Sequence, residues 1–291
     1  MVKNVLVALI IVLLALYALV LIFDLIKNRD RIKGEPGSPL LIAFTAPVIM
    51  FIATLGVSDF VMNTLFFKKC GLVDDKRLPG SLITSASLPL GAVAVVYLLT
   101  ADIDIKIIAV CMIFQGVGAI IGVRLVAGFD GALIGKIVGT AMLFSAVFLL
   151  SRLIGIGTTG GTLTTFPLGK LIICGVCAFF LGIFNMMGMG AKAPYMSLLL
   201  TLGLSAECVL PVIMTACTMS AVSGAVQYVK RDLYQRKLAI IYSTFGFIGI
   251  ALGFIFVTHL NQTALQVMML LITVYTGVSM LMHKKRKAET V

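Results

Sequence analysis

Apolar residues run along this chain in blocks at about 4–26, 39–56, 59–70, 79–100, 105–126, 131–151, 168–187, 191–203, 209–229, 237–258 and 264–282. Most blocks are about twenty residues long and continuous, which suits helices that cross a bilayer and not the alternating strands of a membrane barrel. Two of them, 59–70 and 191–203, are too short to cross a hydrocarbon layer of about 30 Å. Each follows a longer partner after a break, at Leu55-Gly56-Val57-Ser58 in one case and at Met187-Gly188-Met189-Gly190 in the other. These pairs are expected to be helical hairpins folded into the membrane.

The blocks repeat. Gly71-Leu72 and Leu78-Pro79 return as Gly203-Leu204 and Leu210-Pro211, and Gly91-Ala92-Val93 returns as Gly224-Ala225-Val226. Phe114, Gly118 and Gly122 return with the same spacing as Phe245, Gly249 and Gly253. The matches keep one order and, to within one position, the offset that carries Gly71 onto Gly203. The expected division is an N-terminal helix with a basic loop (1–38), a first repeat (39–151), a connecting loop (152–167), a second repeat (168–282) and a basic tail (283–291). The apolar stretch near the start is long and lacks a small-residue cleavage site, so it is read as a retained helix and not a cleaved signal.

Charge sets the orientation, because cytoplasmic loops retain lysine and arginine. With the segments 27–38, 68–78, 124–136 and 230–237 and the tail on one side, that side carries eighteen of the 23 basic residues. The other side carries Lys3, Lys106, Arg152 and Lys170, and Lys192 remains within an apolar block. The N-terminus is thus expected outside and the C-terminus in the cytoplasm. Three full helices follow each hairpin, so the two repeats enter from opposite faces. The predicted fold is an all-α polytopic membrane protein of two inverted-topology repeats, each a broken or re-entrant hairpin plus three transmembrane helices, preceded by one extra helix. Inverted repeats with broken helices are an architecture for alternating access to a midplane site.

Composition narrows the function. Sixty per cent hydrophobic residues, 12% charged residues and a mean hydropathy of +1.12 exceed what a soluble core of this size can hide. The net charge of +11 sits in clusters beside helix ends, so it marks topology and not nucleic-acid binding. The six cysteines lie mostly in apolar blocks, and Cys174 and Cys177, three apart on one helix, read as packing residues. The two histidines, His259 and His283, form no metal or catalytic group with other residues, and no cofactor or enzymatic activity is expected.

Candidate chemistry gathers at the two breaks. Ser58, Asp59 and Asn63 stand at the first, and Asn185, Lys192 and Tyr195 at the second. The offset from Gly71 to Gly203 also carries Asn63 onto Tyr195, while Asp59 and Lys192 fall one position apart. A lysine within a membrane costs about 2.5–3.5 kcal/mol on insertion scales, so it faces a partner or a wet cavity. Here it opens a short helix, whose free amides and dipole favour an anion. Two readings stand side by side: Lys192 binds an anionic substrate, or it neutralises Asp59 as a structural ion pair. Asp59 is in addition a candidate for coupling proton movement to transport. Hydroxyls after the repeated Leu-Pro form a second set, Thr84 and Ser85 in one half and Thr215 and Thr218 in the other. Substrate contact and hydrogen bonds to their own helix backbones are both open to them. The paired glycines are expected to serve close helix packing.

From about 40 to 282, the chain resembles the sulfite exporter TauE/SafE family of bacterial and archaeal permeases. The resemblance lies in the two-fold repeat, the glycine-bearing breaks at Gly56 and at Gly188-Met189-Gly190-Ala191-Lys192-Ala193-Pro194, the Gly-Leu and Leu-Pro spacing, and the paired Phe/Gly helices. It differs at the first break, Leu55-Gly56-Val57-Ser58-Asp59-Phe60, and by the interposed Lys192. It implies a secondary transporter of a small, sulfur-containing anion such as sulfite or a sulfonate, driven by an ion gradient, in a prokaryotic inner membrane. The implied partners are the anion, a coupling ion such as the proton, and the lipid bilayer. With no phosphate-binding loop in the chain, direct nucleotide-driven pumping is not expected. The alternatives are a passive anion channel and a non-transporting membrane subunit or sensor.

Overall fold

A computed structural model describes residues 2–54, 59–100, 103–155, 161–188 and 192–256, with scattered positions between 267 and 282. Gly56, Ser58, Met189, Gly190, both histidines, the tail and about half of the last apolar block lie outside the described residues. Among those described, regular structure is helical: α1 (Val2–Lys27), α2 (Arg29–Gly34), α3 (Pro39–Thr54), α4 (Asp59–Lys69), α5 (Leu78–Thr100), α6 (Ile105–Ala127), α7 (Gly131–Leu153), α8 (Leu168–Met186), α9 (Lys192–Thr201), α10 (Ala206–Lys230) and α11 (Arg236–Phe256).

Six of these, α1, α5, α6, α8, α10 and α11, are long and apolar enough to cross a membrane. With the many apolar side chains they expose, such as Leu16, Phe44 and Ile255, they make the chain a multi-pass membrane protein. α4 and α9 have 11 and 10 residues. At the rise of an α-helix, neither reaches much beyond half of the apolar layer.

Burial separates centre from periphery. In α5 and α10, 67% and 78% of the most apolar window is buried, against 22% in α1. α5 and α10 pack on each other at the centre. Around them the partnerships come in matched pairs: α6 packs on α8 and α10, and α11 packs on α3 and α5. Helices from one half of the chain thus pack chiefly on helices from the other.

Glycine makes two close helix contacts possible. A Cβ on Gly118 of α6 would lie 2.0 Å from the Phe179 carbonyl oxygen of α8, and one on Gly249 of α11 would lie 2.0 Å from the Pro47 carbonyl oxygen of α3. Pro47 and Phe179 are themselves related by the repeat offset, that of Gly71 and Gly203. The same backbone approach therefore occurs twice between the halves, in keeping with the packing role expected of these glycines.

One end of the molecule is tied by charge. The Asp24 carboxylate of α1 accepts from Arg236 Nε at 2.7 Å and from the Tyr234 hydroxyl at 2.5 Å. Burial first, and then the hydrogen bond to Asp24, hold the Tyr234 phenol above the usual tyrosine range, so it stays a neutral donor. Arg236 also meets Asp232 at 2.8 Å, and Asp232 is reached by Arg31 at 3.2 Å and by Arg77 at 3.9 Å. The segments around residues 31, 77 and 232 are thereby gathered at one end. α3, α5 and α11 begin there and α10 ends there. At the opposite end Leu163 bridges to Leu204, Lys170 Nζ donates to the Leu202 carbonyl at 2.7 Å, and α8 and α10 begin.

Two expectations change at the charged end. The segment 27–38 is not all loop, since α2 fills 29–34. Arg236 and Lys237 are not exposed loop charges: both are buried, the first on Asp24 and the second on the Glu35 and Gly37 carbonyls. The reason is local, because α11 starts at Arg236 and needs acceptors for its first amides. Glu35 supplies them, its two carboxylate oxygens accepting from Arg236 N at 3.1 Å and Lys237 N at 2.7 Å. Glu35→Ala should therefore lower stability by about 1–2 kcal/mol, the usual worth of a helix cap reinforced by charge. Thermal unfolding of the detergent-solubilised protein checks this, with Glu35→Gln expected to lose less.

Candidate anion site between the two broken hairpins

Each short helix opens with a charged residue, Asp59 in α4 and Lys192 in α9. Gly188, in the second break, takes φ +85°, a left-handed conformation that suits glycine and lets the chain turn sharply after α8. The two charges meet: Lys192 Nζ donates to Asp59 Oδ1 at 2.7 Å. Their side chains are 11% and 1% exposed, so this is an interior pair. The second carboxylate oxygen, Asp59 Oδ2, is buried with no hydrogen-bond partner among the described residues.

Other polar groups extend from the pair across the core. Asn63, one turn after Asp59, accepts at Oδ1 from the Tyr242 hydroxyl of α11 at 2.5 Å, and its Nδ2 is left unpartnered among the described residues. Cys217 of α10 lies within the field of both Asp59 and Lys192 and accepts from Gln115 Nε2 of α6 at 3.5 Å. Thr64 Oγ1, Ser85 Oγ, Gln115 Oε1 and the Tyr195 hydroxyl are likewise buried without a hydrogen-bond partner among the described residues. Such groups are uncommon in a folded interior, and each is open to water or a ligand.

The remaining candidate residues divide. Tyr195 is buried on the α6 side, with its ring in a cluster around Cys111, Cys174 and Leu199. Asn185 Nδ2 donates to Ser220 Oγ at 3.0 Å. Thr84 and Thr215 bond back to their own helices, at the Gly80 and Pro211 carbonyls, each at 2.8 Å. Thr218 reaches across to the Leu90 carbonyl of α5 at 3.4 Å. Ser58 lies outside the described residues. Cys174 meets Cys111 across helices, Sγ to Sγ 3.4 Å, while Cys177 is partly exposed.

The residue that sequence reasoning missed is Tyr242. Its signal was present in the repeat: the offset that carries Asn63 onto Tyr195 carries Cys111, to within one position, onto Tyr242. Asn63 meets Tyr242, and their counterparts Tyr195 and Cys111 lie side by side. One contact between a short helix and the long helix of the other half thus occurs twice, with the tyrosine on opposite members.

Comparison with known proteins finds a family likeness over part of the chain. Residues 171–291, from within α8 onward, match the family model described as Sulfite exporter TauE/SafE. That stretch resembles the TauE/SafE family. The TauE/SafE family is one of membrane transporters, and the match covers α9 with Lys192 together with α10 and α11, which carry Cys217 and Tyr242. No curated protein and no solved structure matches the chain.

Proposed function

We propose that the protein is a secondary transporter of a small anion of the sulfite or sulfonate class, which binds at Lys192 between the starts of α4 and α9. The observation that carries this reading is the buried Lys192 ammonium at the first position of a half-helix. There its charge and the free amides of the helix start act on the same point. The unpartnered atoms around it, Asn63 Nδ2 and Asp59 Oδ2 among them, are of the kind that a bound anion and its protons occupy. The TauE/SafE match supplies the transport class and the sulfur-oxyanion chemistry.

The two halves act as inverted repeats that expose the site alternately to each side. In support, α3 and α5 begin at the charged end, whereas their counterparts α8 and α10 begin at the other. The N-terminus lies outside and the C-terminus in the cytoplasm of a prokaryotic cell, so that the end holding Arg31, Arg77 and Lys237 faces inward, as basic clusters do.

Counterflow in proteoliposomes tests this function. Vesicles preloaded with unlabelled sulfite, thiosulfate, methanesulfonate or acetate should accumulate the corresponding labelled anion transiently and saturably. The sulfur oxyanions should exceed acetate. Equal, non-saturating flux of every anion would indicate a pore instead.

A further inference from the structure

We propose that Asp59 is a built-in competitor of the transported anion for Lys192, so that each anion bound at the site is matched by one proton taken up on the Asp59 carboxyl. The inference rests on the anion-site reading above and adds the coupling rule of that site. It starts from the occupancy of the lysine. Lys192 already holds an anion, the Asp59 carboxylate, at 2.7 Å and almost wholly out of water.

A substrate that takes the ammonium displaces that carboxylate from its cation. The displaced group has nowhere to keep its charge. α3 carries no titratable side chain, α5 carries only Tyr97, which packs against Phe254, and α9 contributes Lys192 itself and Tyr195, whose ring sits in the separate cluster around Cys111, Cys174 and Leu199. From α10 and α11 the neighbours are Cys217 and Tyr242, neither of them a cation, and the Tyr242 hydroxyl donates to Asn63. Asn63 offers one free Nδ2 donor, a neutral group.

An isolated carboxylate in such surroundings is costly and takes a proton from water. The balance is simple: a monovalent substrate anion enters, one proton adds to an Asp59 oxygen, and the charge of the site is unchanged. For a monovalent anion the bound complex is electroneutral. When the anion leaves, the proton is released and the internal pair closes again. A transporter with this rule cannot move an anion through the site without the proton, because the two carboxyl states correspond to the two occupants of one lysine.

Linkage sets the size of the effect. If binding takes up one proton, the apparent Kd for a non-titrating anion rises about tenfold for each unit of pH over the range in which that uptake holds. Methanesulfonate is a suitable probe, since its own charge does not change across the neutral pH range. Calorimetric titration of the purified protein with methanesulfonate, in two buffers of different ionisation enthalpy, counts the protons directly.

The expected result is about one proton per anion for the native protein and for Asp59→Glu. Asp59→Asn should bind more tightly, with a proton count near zero and no dependence on pH. Binding with no proton uptake by the native protein would overturn the competition while leaving the anion site standing. So would a pH slope that persists in Asp59→Asn. Absence of methanesulfonate binding in every form, or binding unaffected by Lys192→Met, would instead overturn the anion-site reading on which it rests.

Discussion

Lys192→Met should abolish saturable anion uptake, and it should do so separately from its effect on folding. Removing the cation deletes a charge-assisted contact of about 2–5 kcal/mol to a bound anion, at least thirtyfold in affinity. It also strands Asp59, which is 1% exposed and has Lys192 as its ion-pair partner. Breaking one side of a buried pair costs about 3–5 kcal/mol, so the single variant is expected to be unstable as well as inactive. The two effects come apart in Lys192→Met combined with Asp59→Asn, where no charge is left buried. That double variant should regain most of the lost thermal stability and still transport nothing. Lys192→Arg keeps a cation and should retain part of the uptake, its larger planar head fitting the space less well. Uptake at the native level in the stable double variant would contradict the role assigned to Lys192.

The second large effect is expected at the paired glycines. Gly118→Ala and Gly249→Ala each place a methyl about 2.0 Å from a carbonyl oxygen of the facing helix, where neither partner is the end of a flexible side chain. The helices must part. Overpacking of this sort costs about 1–3 kcal/mol in ordinary cores, and a backbone obstacle belongs at the upper end. Because Gly118 against Phe179 and Gly249 against Pro47 are matching contacts between the two halves, the two losses should be similar in size. Gly34→Ala, where an added methyl meets nothing within 4 Å, serves as the control. Unfolding midpoints of the three variants in one detergent check the set. An undiminished midpoint in both glycine variants would contradict the close approach.

Much of the fold was legible in the sequence because a membrane imposes length. Apolar blocks of about twenty residues became α5, α6, α8, α10 and α11, and blocks too short to cross became α4 and α9, each opening with the charged residue that follows its break. Asp59 and Lys192 were legible as charges placed where charge is costly, and the repeat offset already set their two breaks in correspondence. Less legible was which polar group meets which. The Asn63 to Tyr242 bond spans 179 residues, and no periodicity reports it, although the repeat pointed from Cys111 to Tyr242. The charged end escaped for a similar reason. Glu35 and Asp24 look like ordinary residues of a helix end and a loop, yet they are the acceptors that let Arg236 and Lys237 be buried at the start of α11. Counting basic residues by side does not distinguish a solvated lysine from one held under a carboxylate.

The hydroxyls illustrate a further limit. Thr84 and Thr215 sit at the centre of the molecule with their Oγ1 atoms bonded to their own backbones, whereas Ser85 is left without a hydrogen-bond partner among the described residues. Sequence places all three on the same pair of helices. Only the rotamer and the facing helix separate those that are satisfied from those open to a ligand.

The most direct test of the account is a structure determined in lipid nanodiscs with bound methanesulfonate. The account predicts sulfonate oxygens within hydrogen-bond reach of Lys192 Nζ at the start of α9, with Asp59 withdrawn from its present 2.7 Å contact. An intact Asp59 to Lys192 pair, with the anion seated elsewhere along a continuous path through the protein, would contradict it.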